Sequence, residues 1–233
     1  MKSTPSPRVA CLAEERSALI RPLELSRPVP IACIGMSCGG LSPLKLICRQ
    51  LSSETGIVFA VIHHLVTTTL LPQILSFHMS VPVKEAGDGE VALPNHVYVL
   101  PPGKQMTVAD SVFSLQPRSK VTGWPNVMTI FMDSLAKSHH PGIAITLSGL
   151  GSDGAAALRA FKEHGGVTIA QAPETAERED LPLSWINTGS VDYILEPDAI
   201  TQRLESFARR FRTSQGRFLK VEVRRAPCRT KVA

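Results

Sequence analysis

The stretch Pro30-Ile31-Ala32-Cys33-Ile34-Gly35-Met36-Ser37-Cys38-Gly39-Gly40-Leu41-Ser42-Pro43-Leu44 decides the fold. Residues 31–36 are an apolar run, short and rich in small side chains, which suits a buried strand. Ser37-Cys38-Gly39-Gly40 breaks the run with a turn. Beyond it, Leu41, Leu44, Ile47, Cys48 and Leu51 recur at helical spacing. A strand, a tight turn and a helix make the unit from which parallel sheets are built.

The unit recurs along the chain. Residues 56–62 read as a second buried strand, ending at His63-His64, with a helix expected over 67–77. Residues 142–147 read as a third, ending in Ser148-Gly149-Leu150-Gly151-Ser152-Asp153-Gly154. A helix over 155–164 follows and is stopped by Gly165-Gly166. Residues 167–170 and 191–195 are further strands, and a last helix starts near Pro197 and runs past Phe207. This alternation predicts an α/β fold: a doubly wound, mostly parallel sheet with helices on both faces, in one domain. The middle differs. Residues 81–86, 97–100, 106–108 and 111–115 are short strands between Gly, Pro and Asp turns, and they read as an antiparallel excursion of hairpins at the edge of the main sheet.

Residues 1–29 read as a leader with one short helix near 10–23, residues 30–207 as the folded domain, and residues 208–233 as a basic tail. The tail has nine Lys/Arg and one acid, a charge of +8; sixteen basic and nineteen acidic residues elsewhere leave the rest at −3. The overall +5 therefore belongs to the tail, read as a solvated end that can also dock a partner, and no nucleic-acid partner is expected for the domain. Hydrophobic residues at 43% and charged residues at 19% are ordinary for a globular protein. No apolar run approaches the ~18–20 residues that span a bilayer, and no signal peptide is visible, so the cytoplasm is the expected location. The five cysteines are odd in number, without Cys-x-x-Cys or zinc spacing, which points to reduced thiols and away from disulfides or a structural metal.

Open parallel sheets carry their sites outside the carboxyl ends of the strands. Ser37 follows the first strand, His63 and His64 end the second, and Asp153 follows the third, at the start of its helix. A serine hydroxyl needs a base to take its proton and a third group to fix the imidazole. The glycine turn brings backbone amides close to an anion, and the helix after it offers unpaired N–H groups. A tetrahedral oxyanion would use the Cys38 N–H and a donor from the 149–151 loop. Each residue also has a plainer reading. Strand–glycine–helix turns bind phosphate, Asp before a helix caps it, a histidine satisfies a core, and a thiol fills one. Gly35-x-Ser37-x-Gly39 matches the nucleophile elbow, but that fold orders Ser, acid, His, whereas the order here is Ser, His, Asp.

Ile34-Gly35-Met36-Ser37-Cys38-Gly39-Gly40 resembles the Gly-x-Ser-x-Gly-Gly turn of the chemotaxis protein-glutamate methylesterases, the CheB-type catalytic domain. Val61-Ile62-His63-His64-Leu65 is similar to their strand ending in Gln-His. Val97-Tyr98-Val99-Leu100-Pro101-Pro102-Gly103 and Thr146-Leu147-Ser148-Gly149-Leu150-Gly151-Ser152-Asp153-Gly154 are similar to their central region and aspartate loop. The match runs from about residue 31 to 203. The resemblance implies a triad of Ser37, His64 and Asp153, with Cys38 and Leu150 as backbone support for the oxyanion. It also implies hydrolysis of γ-glutamyl methyl esters on the cytoplasmic domain of methylated chemoreceptors, releasing methanol, with deamidation of receptor glutamines as a related activity. No metal or organic cofactor is implied. A receptor methyltransferase is the further partner expected of a chain that keeps the fold as a binding module.

The departures are specific. His63 stands where the family has Gln, Leu150 where it has Met or Thr, and Asp180-Leu181-Pro182 where it has Gly-Met-Pro. Pro125-Asn126-Val127-Met128-Thr129, before a helix expected over 130–136, lacks the family's acid. About 30 leader residues are too few for a receiver domain, so control by phosphorylation within this chain is not expected. Adjacent strand side chains face opposite sides, so one of His63 and His64 reaches Ser37, and the resemblance selects His64. The expected geometry puts His64 Nε2 at the serine and Asp153 on the other ring nitrogen. The competing expectation is a binding module that keeps the fold without turnover.

Overall fold

A computed structural model describes residues 28–64, 70–118 and 126–214. The helix expected near 10–23, the first residues of the helix expected over 67–77 and the tail beyond 214 lie outside the described residues.

The first strand, β1 (Ile31–Met36), is buried at every position and leads through the Ser37–Gly40 turn into α1 (Leu41–Gln50). β2 (Val58–His63) and the short α2 (Leu71–Ser76) follow. Next come β3 (Val83–Glu85), β4 (His96–Val99), β5 (Lys104–Ala109) and β6 (Val112–Pro117). The remainder is α3 (Val127–Lys137), β7 (Gly142–Thr146), α4 (Leu158–Glu163), β8 (Val167–Gln171), α5 (Asp180–Ile186), β9 (Tyr193–Leu195) and α6 (Pro197–Ser214).

Seven strands form one parallel sheet in the order β3-β4-β2-β1-β7-β8-β9. The sheet starts at the centre with β1 and adds β2 beside it; the chain then crosses to the edge as β3, comes back between β3 and β2 as β4, and passes to the other side of β1 with β7. The switch in direction therefore lies at β1, where a doubly wound sheet opens a crevice. Both faces are covered. Leu44, Ile47, Leu75, Ile200 and Leu204 from α1, α2 and α6 pack on one. Phe131, Met132, Phe161, Leu181 and Trp185 from α3, α4 and α5 pack on the other, joined by Met106, Val108 and Phe113 of the β5–β6 hairpin. Each large side chain buried here contributes about 1.5–3 kcal/mol relative to exposure.

The middle of the chain divides in two. Among the described residues only β5 and β6 form an antiparallel hairpin; β3 and β4 join the main sheet in parallel. Val97, Tyr98 and Val99 are buried on both faces, the mark of an interior parallel strand, so their short run and flanking turns were a misleading hairpin signal. α5 was not marked by the sequence reading, because Glu177-Arg178-Glu179-Asp180 and Pro182 look like a loop. Proline is tolerated in a helix's first turn, where its missing N–H has no partner to lose. α3 begins three residues before the expected start.

Candidate active site

The register of the central strands sets the site. Met36 of β1 pairs with His63 of β2, so Ser37 and His64 leave neighbouring strands at the same level. Gly35 of β1 pairs with Thr146 of β7, whose continuation reaches Asp153. Three side chains far apart in sequence thus meet at one end of the sheet.

His64 Nε2 lies 2.9 Å from Asp153 Oδ2, with side chains 8% and 1% exposed. His63 lies against the Leu100 carbonyl. Burial and the nearby Arg118 charge lower the His63 pKa to about 4, so it is neutral near pH 7. The nitrogen facing the carboxylate is the reverse of the expected one. Both Arg118 terminal nitrogens hold this strand end, Nη1 donating to the His64 carbonyl at 3.1 Å and Nη2 to that of His63 at 3.4 Å.

Asp153 is not the cap of its own helix. Its carboxylate turns to the N-terminus of α3, where Met128 N–H donates to Oδ2 at 2.9 Å and Thr129 N–H to Oδ1 at 3.0 Å. The Thr129 hydroxyl donates to Oδ1 at 2.9 Å. α3 needs this outside acceptor because Asn126 makes no capping bond and the first turn holds no acid. Burial alone would raise the Asp153 pKa. The bonds from His64, Met128 and Thr129 outweigh it and hold the carboxyl below its ordinary value. Trp185 of α5 fixes the backbone here, its Nε1 donating to the Asp153 carbonyl at 2.9 Å.

Ser37 sits in a turn tied to the 148–151 loop. Ser37 N–H donates to the Ser148 carbonyl at 3.1 Å, and Ser148 Oγ donates to the Cys38 carbonyl at 2.9 Å. Ser148 Oγ also accepts the Arg178 N–H, which joins the segment before α5 to the same knot. Gly39 has φ +77°, a conformation side chains rarely adopt. A Cβ on Gly149 would stand 2.9 Å from Ser37 Cβ and 3.1 Å from Ser37 N, so only glycine lets the loop close on the serine. Among the described residues the amides of Cys38 and Leu150 donate to no protein acceptor, and the Ser37 hydroxyl has no hydrogen-bond partner. Cys38 is exposed, while Cys33 and Cys48 are buried. Burial pushes the Cys33 thiol up, with Asp153 adding to the effect, and the Cys48 thiol to about 12, which leaves both inert.

These features can be set beside known proteins. The family model described as CheB methylesterase matches residues 32–204. The chain belongs to the CheB methylesterase family. Its fold matches the crystal structure of the Thermotoga maritima CheB methylesterase catalytic domain with a TM-score of 0.69 and 29% identity, covering 76% of this chain and 97% of that one. A relative from Leptospira interrogans is 31% identical over 173 residues, which are 72% of this chain and 90% of its own length. The Rhizobium meliloti protein named protein-glutamate methylesterase/protein-glutamine glutaminase of group 3 operon is 28% identical over 199 residues. Those residues are 84% of this chain and 56% of that protein, so the chain spans little more than half of this longer relative. Among the described residues, no helix is long and apolar enough to cross a membrane.

Membership of the CheB family makes the chain a hydrolase. The sequence reading missed Arg118, Thr129, Ser148 and Trp185, which surround the candidate residues. One signal was available for Thr129: a helix start without an acid or a capping side chain needs an acceptor from elsewhere in the fold.

Proposed function

We propose that this CheB-family hydrolase is a protein-glutamate methylesterase acting on γ-glutamyl methyl esters of chemoreceptor cytoplasmic domains, and that it also deamidates receptor glutamines. The catalytic unit is residues 30–207, between a leader (1–29) and a basic segment (208–233) whose first residues, to Ser214, are the end of α6. Ser37 is the nucleophile, His64 the base and Asp153 the group that orients the base. The contact that carries the reading is His64 Nε2 to Asp153 Oδ2 at 2.9 Å, made at the level where Ser37 leaves β1.

Because the carboxylate takes Nε2–H, the neutral imidazole presents its lone pair at Nδ1. Ser37 Oγ attacks the ester carbonyl as Nδ1 accepts its proton. The oxyanion is received by the Cys38 and Leu150 amides, which act through the backbone whatever their side chains are. The imidazolium returns the proton to the leaving methoxide, and methanol departs from a Ser37 acyl-enzyme. Water, deprotonated by Nδ1, then releases the glutamate and regenerates the serine. A primary amide follows the same course with ammonia as leaving group. The buried carboxylate compensates the imidazolium charge at each stage.

The test is methanol release from a methylated receptor fragment. Ser37→Ala should lower it at least ~10³-fold, as loss of a triad nucleophile does; equal release from the two proteins would refute the reading. A second reading, a binding module without turnover, draws on the Ser37 hydroxyl having no partner among the described residues. Apo active sites often show such open contacts that tighten with substrate. Covalent labelling of Ser37 by a fluorophosphonate separates the two, since only an activated serine reacts.

A further inference from the structure

We propose that Thr129 is a positioning residue for the hydrolysis, the hydroxyl that locks Asp153 in the orientation His64 requires. The inference rests on the reading of Asp153 as the orienting carboxylate. Asp153 accepts four hydrogen bonds, two on each oxygen: Met128 N–H and His64 Nε2–H on Oδ2, Thr129 N–H and hydroxyl on Oδ1. This fills the acceptor capacity of a carboxylate. Three of the four donors come from the first turn of α3, so the helix start acts as the jig in which the carboxylate is set.

Within that set the Thr129 hydroxyl is distinct. It donates to Asp153 Oδ1 at 2.9 Å and accepts the Gly154 N–H at 2.9 Å. The relay from Gly154 N–H through Oγ1–H to Oδ1 clamps the side chain of Asp153 and the backbone next to it in one ring of contacts. Backbone donors of a helix end cannot make such a relay, because they donate only. Without the hydroxyl, one lone pair of Oδ1 and the Gly154 N–H lose their partner. The carboxylate then gains rotational freedom about its bond to Cβ, and the bond to Nε2 loosens. A looser Nε2–H bond weakens the hold on the tautomer that keeps Nδ1 unprotonated for Ser37.

The experiment compares methanol release by wild type, Thr129→Val and Thr129→Ser, with Ser37→Ala and Asp153→Asn in parallel. Thr129→Val should lower kcat about tenfold with KM within about twofold, the scale on which loss of an outer hydrogen-bond partner acts. Thr129→Ser, which keeps the hydroxyl, should restore kcat to within about threefold of wild type. The far-downfield proton resonance of His64 Nε2–H should broaden or move upfield in the valine protein and persist in the serine protein. Wild-type kcat in Thr129→Val, or equal loss in the valine and serine proteins, overturns the inference. Should valine prevent folding, Thr129→Ala removes the same hydroxyl with a better helix former. Retained release by Ser37→Ala and Asp153→Asn would instead sink the reading of the site itself, whatever Thr129 does.

Discussion

Two serine–histidine pairs lie at opposite ends of the central strands. At the carboxyl ends are Ser37 and His64, with Asp153 on His64 Nε2 at 2.9 Å. At the amino ends, Ser111 Oγ lies 3.1 Å from His140 Nε2, and His140 Nδ1 lies 2.9 Å from the Val29 carbonyl. By hydrogen bonding alone the second pair is the more complete, since hydroxyl, imidazole and acceptor are already joined. What it lacks is a buried carboxylate on the ring and a more open setting for the hydroxyl. Its third member is a neutral carbonyl, which orients the ring, and the Asp110 charge that favours the imidazolium acts from an exposed position and not from a buried contact. Ser111 is 5% exposed, in the tight turn of the β5–β6 hairpin. Ser37, by contrast, is half-buried before a helix start, with the Cys38 and Leu150 amides uncommitted among the described residues. The difference teaches that a hydroxyl–imidazole contact is cheap in a fold, whereas a buried charge beside it and free donors in front of it are not.

The largest effect should come from removing that charge. Asp153→Asn keeps the shape of the side chain but cannot hold the tautomer, and turnover should fall roughly 10⁴-fold in the methanol assay. The same substitution should change acid stability. A carboxyl held below its ordinary value contributes stability that is complete above that value and is lost as pH falls through the lowered one. The asparagine protein should lack this part of the acid transition. Next in size is Gly149→Ala. The added Cβ would press on Ser37 Cβ, Ser37 N and Leu181, so Ser37, the proposed nucleophile, must shift by some tenths of an ångström or more. Misplacement on the ångström scale costs about 10²-fold. Steady-state kinetics with a thermal melt as control will show whether the loss is catalytic.

The two serine–histidine pairs were not equally legible in the sequence. Ser37, His64 and Asp153 each follow a strand that announces itself by its apolar run, and the parallel fold brings the ends of such strands together without further information. The His140 pairing depends on a hairpin turn and on the chain entering β1, neither of which has a periodic signal. The strand alternation was legible for the same reason, while β3 and β4 were read into the hairpins because three or four residues carry too little pattern to reveal a parallel partner. The surroundings of Asp153 were hidden differently. Its capping of α3 is a tertiary contact between segments some 25 residues apart, so local sequence suggested the nearer helix. Trp185 lies on α5, whose charged lead-in, Glu177-Arg178-Glu179-Asp180, concealed the element.

His63 offers a third histidine against which to measure the other two. It is buried beside Arg118, and its pKa falls from 6.5 to about 4. A histidine lowered in the folded state makes the protein less stable as pH falls, because the unfolded chain takes up the proton first. The window runs from 6.5 down to about 4. Because the unfolded imidazole is only half protonated at pH 6.5, the step from pH 6.5 to 5 removes about 1.5 kcal/mol, a little less than 1.36 kcal/mol per pH unit would give. His140, lowered chiefly by burial, adds to the same slope. His63→Gln should flatten most of it, read as the urea midpoint at the two pH values, and leave turnover near wild type. A full pH slope in the glutamine protein would show that His63 is not the titrating group.

The smallest effect is also the sharpest test of the comparison. Ser111→Ala deletes a hydroxyl bonded to His140 in a nearly closed site, so it should cost about 1 kcal/mol of stability. It should leave methanol release unchanged, because nothing at the amino ends of β1 and β7 touches the opposite edge of the sheet. Ser37→Ala should do the reverse, abolishing release while the urea midpoint stays within about 0.5 kcal/mol, since its hydroxyl has no partner to lose among the described residues. The two alanine proteins thus separate a serine kept for stability from one kept for chemistry. Loss of release in Ser111→Ala at full stability would erase that distinction, because the hydroxyl–imidazole contact by itself would then have supplied a nucleophile.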